Sequence, residues 1–344
     1  MAGSFIPRAV FPTLDSLPRS YYLGHHRAGL NKMKTMLSQI DLIFECRDYR
    51  VPLTSRNPMF EESLGGRERV IVYTKRDLGS MGTSTDLARE RIIRQWHAPS
   101  PVLFTSYKSS DSVNAVLKVA KEHAASSRSL TGSRMMVVGM PNVGKSTLLN
   151  SLRNVGTGRR KAVATGAQPG ITRAVHTGVK IVEGNEDGGS VYLIDTPGVF
   201  MPYLPDPDAM LKLSLCGSVK DTIIAPTALA DYLLFHINLV DPKLYAQYDE
   251  PTNDVMQLLE AIARKTGRLQ KGGIPDTEAS ALWMIQRWRG GHLGCFILDE
   301  VTEDALERRI AEEKNVGVSV AQARRKMKDT RRMEQAAKRQ PAVE

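Results

Sequence analysis

The sequence is poor in cysteine and contains no long apolar run. Only three of its 344 residues are cysteines, and Cys46, Cys216 and Cys295 stand far apart with no CxxC spacing. This usage fits neither a disulfide framework nor a zinc site, and it is typical of proteins in reducing compartments. No apolar stretch approaches the ~20 residues that a membrane-spanning helix needs, which excludes an integral membrane protein built on such helices. There is no internal repeat, and the length suggests two globular domains.

Positive charge is in excess. The 47 Lys and Arg residues against 37 Asp and Glu residues give a formal net charge of +10, which points to an anionic partner without separating nucleic acid from a membrane surface. Eight basic and two acidic residues fall in Val318–Gln340, a tail that either binds RNA or is simply solvated. A second basic region comprises Arg264, Lys265, Arg268, Lys271, Arg287 and Arg289. Its neighbours Trp283 and Trp288 are more typical of a core than of base stacking.

Short apolar runs alternate with helical stretches from residue 40 onward. Helical spacing predicts helices that include Leu87–His97 and Val113–Ala125. The alternation predicts an α/β fold with a mostly parallel sheet and helices on both faces. The runs that we predict to be buried strands are Leu42–Cys46, Val70–Thr74, Val102–Ser106, Met135–Gly139 and Val191–Asp195.

The pattern becomes mainly helical after residue 202. A helix is expected at Thr277–Arg289 behind an Asp276 cap, and the only strand expected in this part is Cys295–Leu298. We therefore predict four parts, with boundaries as follows: an N-terminal extension over 1–20, an α/β domain over 21–202, a smaller helical domain over 203–315 and a basic tail over 316–344. The extension has the acid-poor balance of a targeting segment, but its three prolines would break an amphipathic helix, so both interpretations stay open.

A glycine-rich motif, GMPNVGKS over residues 139–146, follows a predicted strand and precedes a helical stretch. The glycines let backbone N–H groups curl around phosphates, and the helix turns its positive end toward them. Lys145 is expected to reach the β- and γ-phosphates and Ser146 to ligate Mg²⁺. The motif does not choose between ATP and GTP. The nucleotide contacts that it predicts are Asn142, Val143, Gly144, Lys145, Ser146 and Thr147.

Two later segments are suited to sensing a γ-phosphate. Asp195 opens the sequence DTPG at the end of a predicted strand, where its carboxylate can hold Mg²⁺ through water, and the N–H of Gly198 can touch the γ-phosphate. Thr172 lies in the preceding polar segment PGITR and is expected to close over Mg²⁺. A lone DTPG is also a common strand-end turn, but after a phosphate loop that alternative becomes weak.

The motif TKRD over residues 74–77 predicts guanine specificity. The carboxylate of Asp77 can accept both N1–H and the 2-amino group of guanine, a pair of donors that adenine lacks. Lys75 would lay its stem across the base, Thr74 begins the motif, and Ser106 ends the next predicted strand as a candidate guanine contact. An exposed charge pair is the common alternative for such a motif. Beside the phosphate loop, TKRD favours GTP over the ATP of an ATPase or small-molecule kinase.

The order of these motifs is unusual. In an ordinary GTPase the phosphate loop precedes the base-reading loop, whereas here the base-reading elements come first and DTPG comes last. The set is complete but circularly permuted. As a consequence, the loops that sense the γ-phosphate lead directly into the helical domain, which nucleotide state can therefore bias.

The sequence resembles the circularly permuted YlqF/RbgA family of ribosome-assembly GTPases, and within it the mitochondrial members, over roughly residues 20–300. Beyond the nucleotide motifs, the likeness lies in YLGH at 22–25, DLIFECRD at 41–48, SRNP at 55–58, GSVKD at 217–221 and KGG at 271–273. The resemblance implies a GTP-hydrolysing factor that matures the large ribosomal subunit and binds its rRNA. It also implies a monomer in the mitochondrial matrix, with peripheral contact to the inner membrane or a bacterial cytoplasmic location as alternatives. A switch that acts on a protein or membrane partner is the rival function.

The resemblance also assigns roles to three residues. His25 matches the histidine to which the family assigns the positioning of water, a role for which Val199 and Phe200 after DTPG offer no polar group. Asn142 matches a loop residue linked to K⁺ binding in the family. Many members have Asn where this chain has Thr74, and since a hydroxyl makes only part of an amide's contacts, weaker guanine affinity is expected.

Overall fold

The computed structural model describes residues 5–12, 14, 24–64, 66–127, 132–159, 162–163, 178–184, 189–200, 204 and 206–314. Its strands are β1 (Leu42–Asp48), β2 (Arg69–Thr74), β3 (Val102–Phe104), β4 (Ser133–Gly139), β5 (Val179–Val182) and β6 (Val191–Asp195). Its helices are α1 (Gly24–Met36), α2 (Pro58–Leu64), α3 (Ser84–His97), α4 (Ser110–Ser127), α5 (Lys145–Thr157), α6 (Pro207–Leu215), α7 (Pro226–Val240), α8 (Val255–Thr266) and α9 (Thr277–Arg289).

The strands form a single six-stranded sheet in the order β3-β2-β1-β4-β6-β5. Every neighbouring pair is parallel except β5 with β6, which is antiparallel. All seven residues of β1 are buried, as expected for a central strand covered on both faces. The predicted α/β fold and its five strands are confirmed.

Two strand assignments differ from the prediction. The sequence analysis did not identify β5, a four-residue edge strand in which only Ile181 is fully buried. The strand expected at Cys295–Leu298 is wrong, because this segment is irregular. Its apolar residues pack without a strand partner: the ring of Phe296 lies 5.6 Å from that of Trp288, and the N–H of Leu298 donates to the carbonyl of Arg50.

The sheet order explains how distant motifs meet. β4, which leads into the phosphate loop, lies between β1 and β6, while β2 and β3 follow beyond β1. Because these five strands are parallel, their carboxyl ends lie along one edge of the sheet, where ligands of such folds bind. Thr74, Ser106, Gly139 and Asp195 come at or after these ends. The circularly permuted chain therefore still assembles one site.

Helices α6 to α9 pack on one another, and the N-terminal segment contacts them. Asp276 caps α9 by accepting the N–H of Ala279, as predicted. Arg8 forms an ion pair of 2.6 Å with Asp231 of α7, and Phe11 packs edge-on against Tyr232 of the same helix. Among the described residues, no helix is both long and apolar enough to cross a bilayer.

The fold divides into two compact units, residues 1–301 and residues 302–344. The first unit contains the sheet together with α1 to α9. In the second, residues 305–314 are helical. The domain boundaries predicted after residues 20, 202 and 315 stay predictions.

Candidate functional site

The phosphate loop is tightly wound between β4 and α5. Gly139, Asn142 and Gly144 have φ angles of 149°, 56° and 92°, and a Cβ at Gly139 would collide with the carbonyl oxygen of Cys46. The Nζ of Lys145 donates to the carbonyls of Gly139 at 3.2 Å and Met140 at 2.8 Å. Burial lowers the pKa of Lys145 despite the opposing charge of Asp195. The loop therefore holds its lysine at the position where phosphates would be cradled.

Ser146 and Asp195, which the sequence predicts to bind Mg²⁺, lie in direct contact. The hydroxyl of Ser146 donates to Oδ2 of Asp195 at 2.6 Å. Asp195 is completely buried, and its Oδ1 has no hydrogen-bond partner within the described parts of the chain. A buried carboxylate oxygen without a donor fits a cation site, because oxygen ligands suit Mg²⁺ and an unpaired buried charge is costly.

The DTPG loop lies directly on the phosphate loop. A Cβ at Gly198 would lie 2.5 Å from the Cα of Pro141, so only glycine permits this approach. The hydroxyl of Thr196 holds the loop by donating to the carbonyl of Val137 at 2.7 Å. The structure thus brings Gly198 to the phosphate loop, as the prediction requires.

Thr74 fastens the base-reading strand to the phosphate loop. It is 5% exposed, and the carbonyl oxygens of Arg47 and Val143 both lie within hydrogen-bond distance of its hydroxyl, whose one proton they share. The Nζ of Lys75 donates to the carbonyl of Asn142 at 2.6 Å and to Oδ2 of Asp48 at 2.8 Å. The threonine therefore joins the two loops with its single hydroxyl.

Asp77 and Ser106 stand on neighbouring loops. Asp77 pairs with Lys108 at 3.0 Å, and its two carboxylate oxygens make no other hydrogen bond within the described residues. The hydroxyl of Ser106 accepts the N–H of Lys108 at 3.1 Å. The loops are joined by the N–H of Arg76, which donates to the carbonyl of Thr105. Asp77 retains the acceptor oxygens that guanine recognition needs.

A cavity of about 490 Å³ connects the base and phosphate elements, and this volume lies in the range of small-molecule sites. It is lined by Thr74, Lys75, Ser106, Gly144 and Thr147, and from α9 and its end by Arg289 and Gly290. Asp77 stands beside it, next to the lining residue Leu78. The structure therefore brings five of the twelve predicted nucleotide contacts together around one cavity.

The sequence analysis did not predict the buried charged side chains beside this cavity. Asp48 accepts from Nε and Nη2 of Arg50 at 3.0 and 2.8 Å. Burial alone would raise the pKa of Asp48, but Arg50 and Lys75 hold it well below its usual range. Arg289 was also misjudged: grouped by sequence with an exposed basic region, it turns inward to line the cavity. The segments DLIFECRD at 41–48 and GSVKD at 217–221 resemble the family, but that resemblance assigned no role to Asp48, Arg50 or Arg289.

Three predictions fall on parts that the structure does not describe. Thr172 and the basic tail over 316–344 lie outside the described residues, as does the side chain of His25. The backbone of His25 belongs to the first turn of α1. One turn later on this helix, a Cβ at Gly29 would lie 3.5 Å from the Cβ of Pro197. The helix that carries His25 therefore runs beside the DTPG loop.

A family model described as "50S ribosome-binding GTPase" matches residues 134–268. The chain is similar to Mitochondrial GTPase 1 of Schizosaccharomyces pombe, with 36% identity over 329 residues that cover 91% of this chain and 98% of that protein. It is also similar to Mitochondrial ribosome-associated GTPase 1 of Bos taurus, with 34% identity over 327 residues that cover 89% and 95% of the two chains.

Solved structures agree with the fold. The crystal structure of GNP-bound YlqF from T. maritima superposes with a TM-score of 0.53 at 23% identity, covering 78% of this chain and 97% of that one. The GDP-bound YlqF structure gives a TM-score of 0.51. With about a third of its residues identical to those of the mitochondrial relatives over most of both chains, this chain belongs to the family of YlqF-like, circularly permuted GTPases.

Proposed function

We propose that this GTPase is an assembly factor for the large ribosomal subunit, which binds rRNA in a way that depends on its nucleotide. The observation that carries the proposal is the chain order at the site. The DTPG loop, which touches the phosphate loop, is followed by α6 as the next helix. Binding or loss of the γ-phosphate can therefore shift the helices that bear the basic surface, because only a short segment joins the DTPG loop to them.

The exposed side of α8 and α9 supports rRNA as the ligand. The half-buried Trp283 lies between two guanidinium groups, that of Arg268 at 4.8 Å and that of Arg287 at 5.6 Å from its ring. Its other neighbour is Tyr248, over which Lys265 lies at 5.9 Å. Interleaved cations and aromatic rings suit phosphates and unstacked bases. We call this surface the cationic face, and it comprises Arg264, Lys265, Arg268, Lys271 and Arg287.

Hydrolysis needs a group that orients water, and the residues after DTPG do not supply one. Val199 and Phe200 are buried at 1% and 0% exposure, and neither carries a polar side chain. We assign water positioning to His25, because α1 runs beside Pro197 one turn after it. Thr172 and Gly198 would close on the γ-phosphate. Turnover would stay slow until the ribosomal particle positions His25 for catalysis.

The oxygen atoms at the site suit two cations, Mg²⁺ and K⁺. Ser146 and Asp195 would hold Mg²⁺, with Thr172 joining them in the GTP-bound form, and Mg²⁺ supplies charge neutralisation at the β- and γ-phosphates. K⁺ would use the amide oxygen of Asn142, a neutral oxygen ligand. Replacing K⁺ by Na⁺ in a hydrolysis assay tests this assignment, which predicts slower turnover in Na⁺ at unchanged Mg²⁺.

The deciding experiment is co-sedimentation with large-subunit precursor particles at moderate salt, with GDP or a non-hydrolysable GTP analogue. We expect more protein in the pellet with the GTP analogue, and less when Arg268 and Arg287 are both replaced by Gln. Arg91→Gln, on the exposed side of α3, is the matched control and should pellet normally. Equal sedimentation with both nucleotides would contradict the proposal.

The rival functions predict other outcomes. An ATPase or kinase requires ATP to compete with a fluorescent GTP analogue as well as GTP does, whereas we expect ATP to compete poorly. A membrane switch requires nucleotide-dependent flotation with anionic vesicles in the absence of particles. Because its relatives are named mitochondrial GTPases, we place the protein in the mitochondrial matrix, where fractionation would locate it.

A further inference from the structure

We infer that Arg289, at the end of α9, is a nucleotide-positioning residue, so that the helical part of the chain supplies one wall of the GTP site. Arg289 and Gly290 line the same cavity as Lys75, Gly144 and Thr147. None of the sequence motifs of a GTPase includes this helix end. The inference concerns nucleotide binding alone and does not depend on the ribosomal proposal.

The guanidinium of Arg289 is held in one orientation. Its Nη1 and Nη2 pair with the carboxylate of Asp221 at 3.0 and 2.7 Å. Its Nε donates to the carbonyl of Leu215 at 2.8 Å, and Nη2 also donates to that of Ser214 at 2.7 Å. A guanidinium can donate all four of these hydrogen bonds at once, two of them to the carboxylate, whereas an ammonium group has only three N–H donors. This arrangement fixes the segment 214–217 against the end of α9.

The fixed segment in turn holds the phosphate loop. The side-chain amide of Asn142 donates to the carbonyl of Gly217 at 2.7 Å. Gly217 has a φ of 79°, and a Cβ there would lie 3.5 Å from Cζ of Arg289 and 3.7 Å from Nδ2 of Asn142. The guanidinium, the glycine and the phosphate-loop amide therefore meet at one point. A side chain at residue 217 would be strained in this backbone conformation.

A second set of contacts holds the same segment from the base side. Arg50 donates to the carbonyl of Cys216 at 3.3 Å and lies 4.9 Å from the ring of Trp288, the residue before Arg289. Arg50 also holds Asp48, which accepts from Lys75. The loop residue Asn142 is thereby fixed twice, through its side chain and through its carbonyl. Displacement of α9 would loosen both attachments.

The expected consequence is selective for nucleotide affinity. Arg289→Ala should raise the Kd for fluorescent GDP and the KM for GTP by about tenfold, because a charge-assisted contact network is lost. Basal kcat should change by less than about twofold, since the residue touches no reacting group. Gln286→Ala, an exposed change on the same helix, should leave Kd, KM and kcat unaltered.

A double-mutant cycle tests whether Arg289 affects nucleotide affinity by positioning the phosphate loop or by a general loss of stability. If Arg289 acts through the phosphate loop, Arg289→Ala should lower GDP affinity much less in the Asn142→Ala variant than in the wild-type protein. Circular dichroism and thermal unfolding establish that each variant is folded. If Arg289→Ala does not fold, Asp221→Asn replaces it, and we expect its Kd for GDP to rise about threefold. Unchanged Kd in the folded variants, or fully additive losses in the cycle, would overturn the inference.

Discussion

At the scale of single residues, Thr74 shows how a departure from a family pattern is accommodated. An amide at this position was expected to make more contacts than a hydroxyl. The structure shows that the one hydroxyl reaches the carbonyls of both Arg47 and Val143. It therefore contributes a junction between strand β2 and the phosphate loop.

Thr74→Val, an isosteric change, tests that contribution. It removes the one hydroxyl proton that the two carbonyls share, and a buried acceptor left without its donor costs about 1–3 kcal/mol. We expect the free energy of unfolding to fall by this amount and GDP affinity to fall about tenfold, as measured by denaturant titration and fluorescence. Thr35→Val, at an exposed site on α1 whose hydroxyl bonds locally, is the control. Wild-type GDP affinity in Thr74→Val would contradict this role.

His97 makes stability depend on pH. Burial, reinforced by the positive charges of Arg47, Arg69 and Arg56, lowers the pKa of His97 to about 2, and its Nε2 lies 2.8 Å from the hydroxyl of Tyr73. An unfolded histidine has a pKa of about 6.5. Unfolding therefore takes up a proton below pH 6.5, and the stabilising contribution present above that pH is lost progressively as pH falls toward 2.

The prediction is a steeper loss of stability in the wild type than in His97→Gln. Between pH 6 and pH 4 the wild-type free energy of unfolding should fall faster by up to about 1.4 kcal/mol per pH unit, the value for one proton. Urea titrations at several pH values measure both slopes. His123→Gln, on α4, is the control substitution of a second histidine. Parallel slopes for wild type and His97→Gln would refute the account.

At the scale of elements, a local sequence pattern was sufficient to predict those segments whose own residues identify them. The phosphate loop and α9 with its Asp276 cap lie where predicted. β5 was missed because a short edge strand shows no clear alternation, and Cys295–Leu298 was misjudged because a buried irregular segment is as apolar as a strand. Arg289 was missed for another reason. Its contacts lie 68 to 75 residues away in the chain, beyond any local pattern.

The N-terminal segment illustrates an element held by few contacts. Arg8 donates to both carboxylate oxygens of Asp231, and both side chains are about one quarter exposed. We expect Arg8→Ala to lower the free energy of unfolding by about 1 kcal/mol, the value of a partly exposed ion pair with good geometry.

A charge exchange separates pairing from packing. Arg8→Asp combined with Asp231→Arg should recover part of the stability that either change alone removes, as measured by thermal unfolding. Lys118→Ala, which breaks an exposed 3.8 Å contact on α4, should leave stability unchanged. If the exchange recovers nothing, Arg8 acts through the ring of Phe11, which lies 5.6 Å from its guanidinium, and not through Asp231.

At the scale of the whole molecule, circular permutation changes which part of the chain directly follows the γ-phosphate-sensing loop. The sheet keeps its neighbours, so the phosphate and base loops still meet, but the chain leaves the site toward α6 instead of toward the base-reading loops. The cavity at this site is lined both by loops at the sheet edge and by the end of α9. The same helix bears part of the cationic face, so a shift of α9 alters both surfaces at once.

This arrangement predicts a specific salt dependence of rRNA binding. Each phosphate that a cation neutralises releases counterions, so replacing one such cation lowers the slope of log K against log salt by about one. Arg268→Gln with Arg287→Gln should therefore lower the slope by up to about two in the GTP form, while Arg91→Gln leaves it unchanged. Filter binding to large-subunit rRNA between low and moderate salt measures the slopes. An unaltered slope in the double variant would place the rRNA contacts elsewhere on the chain and would separate the cationic face from the switch.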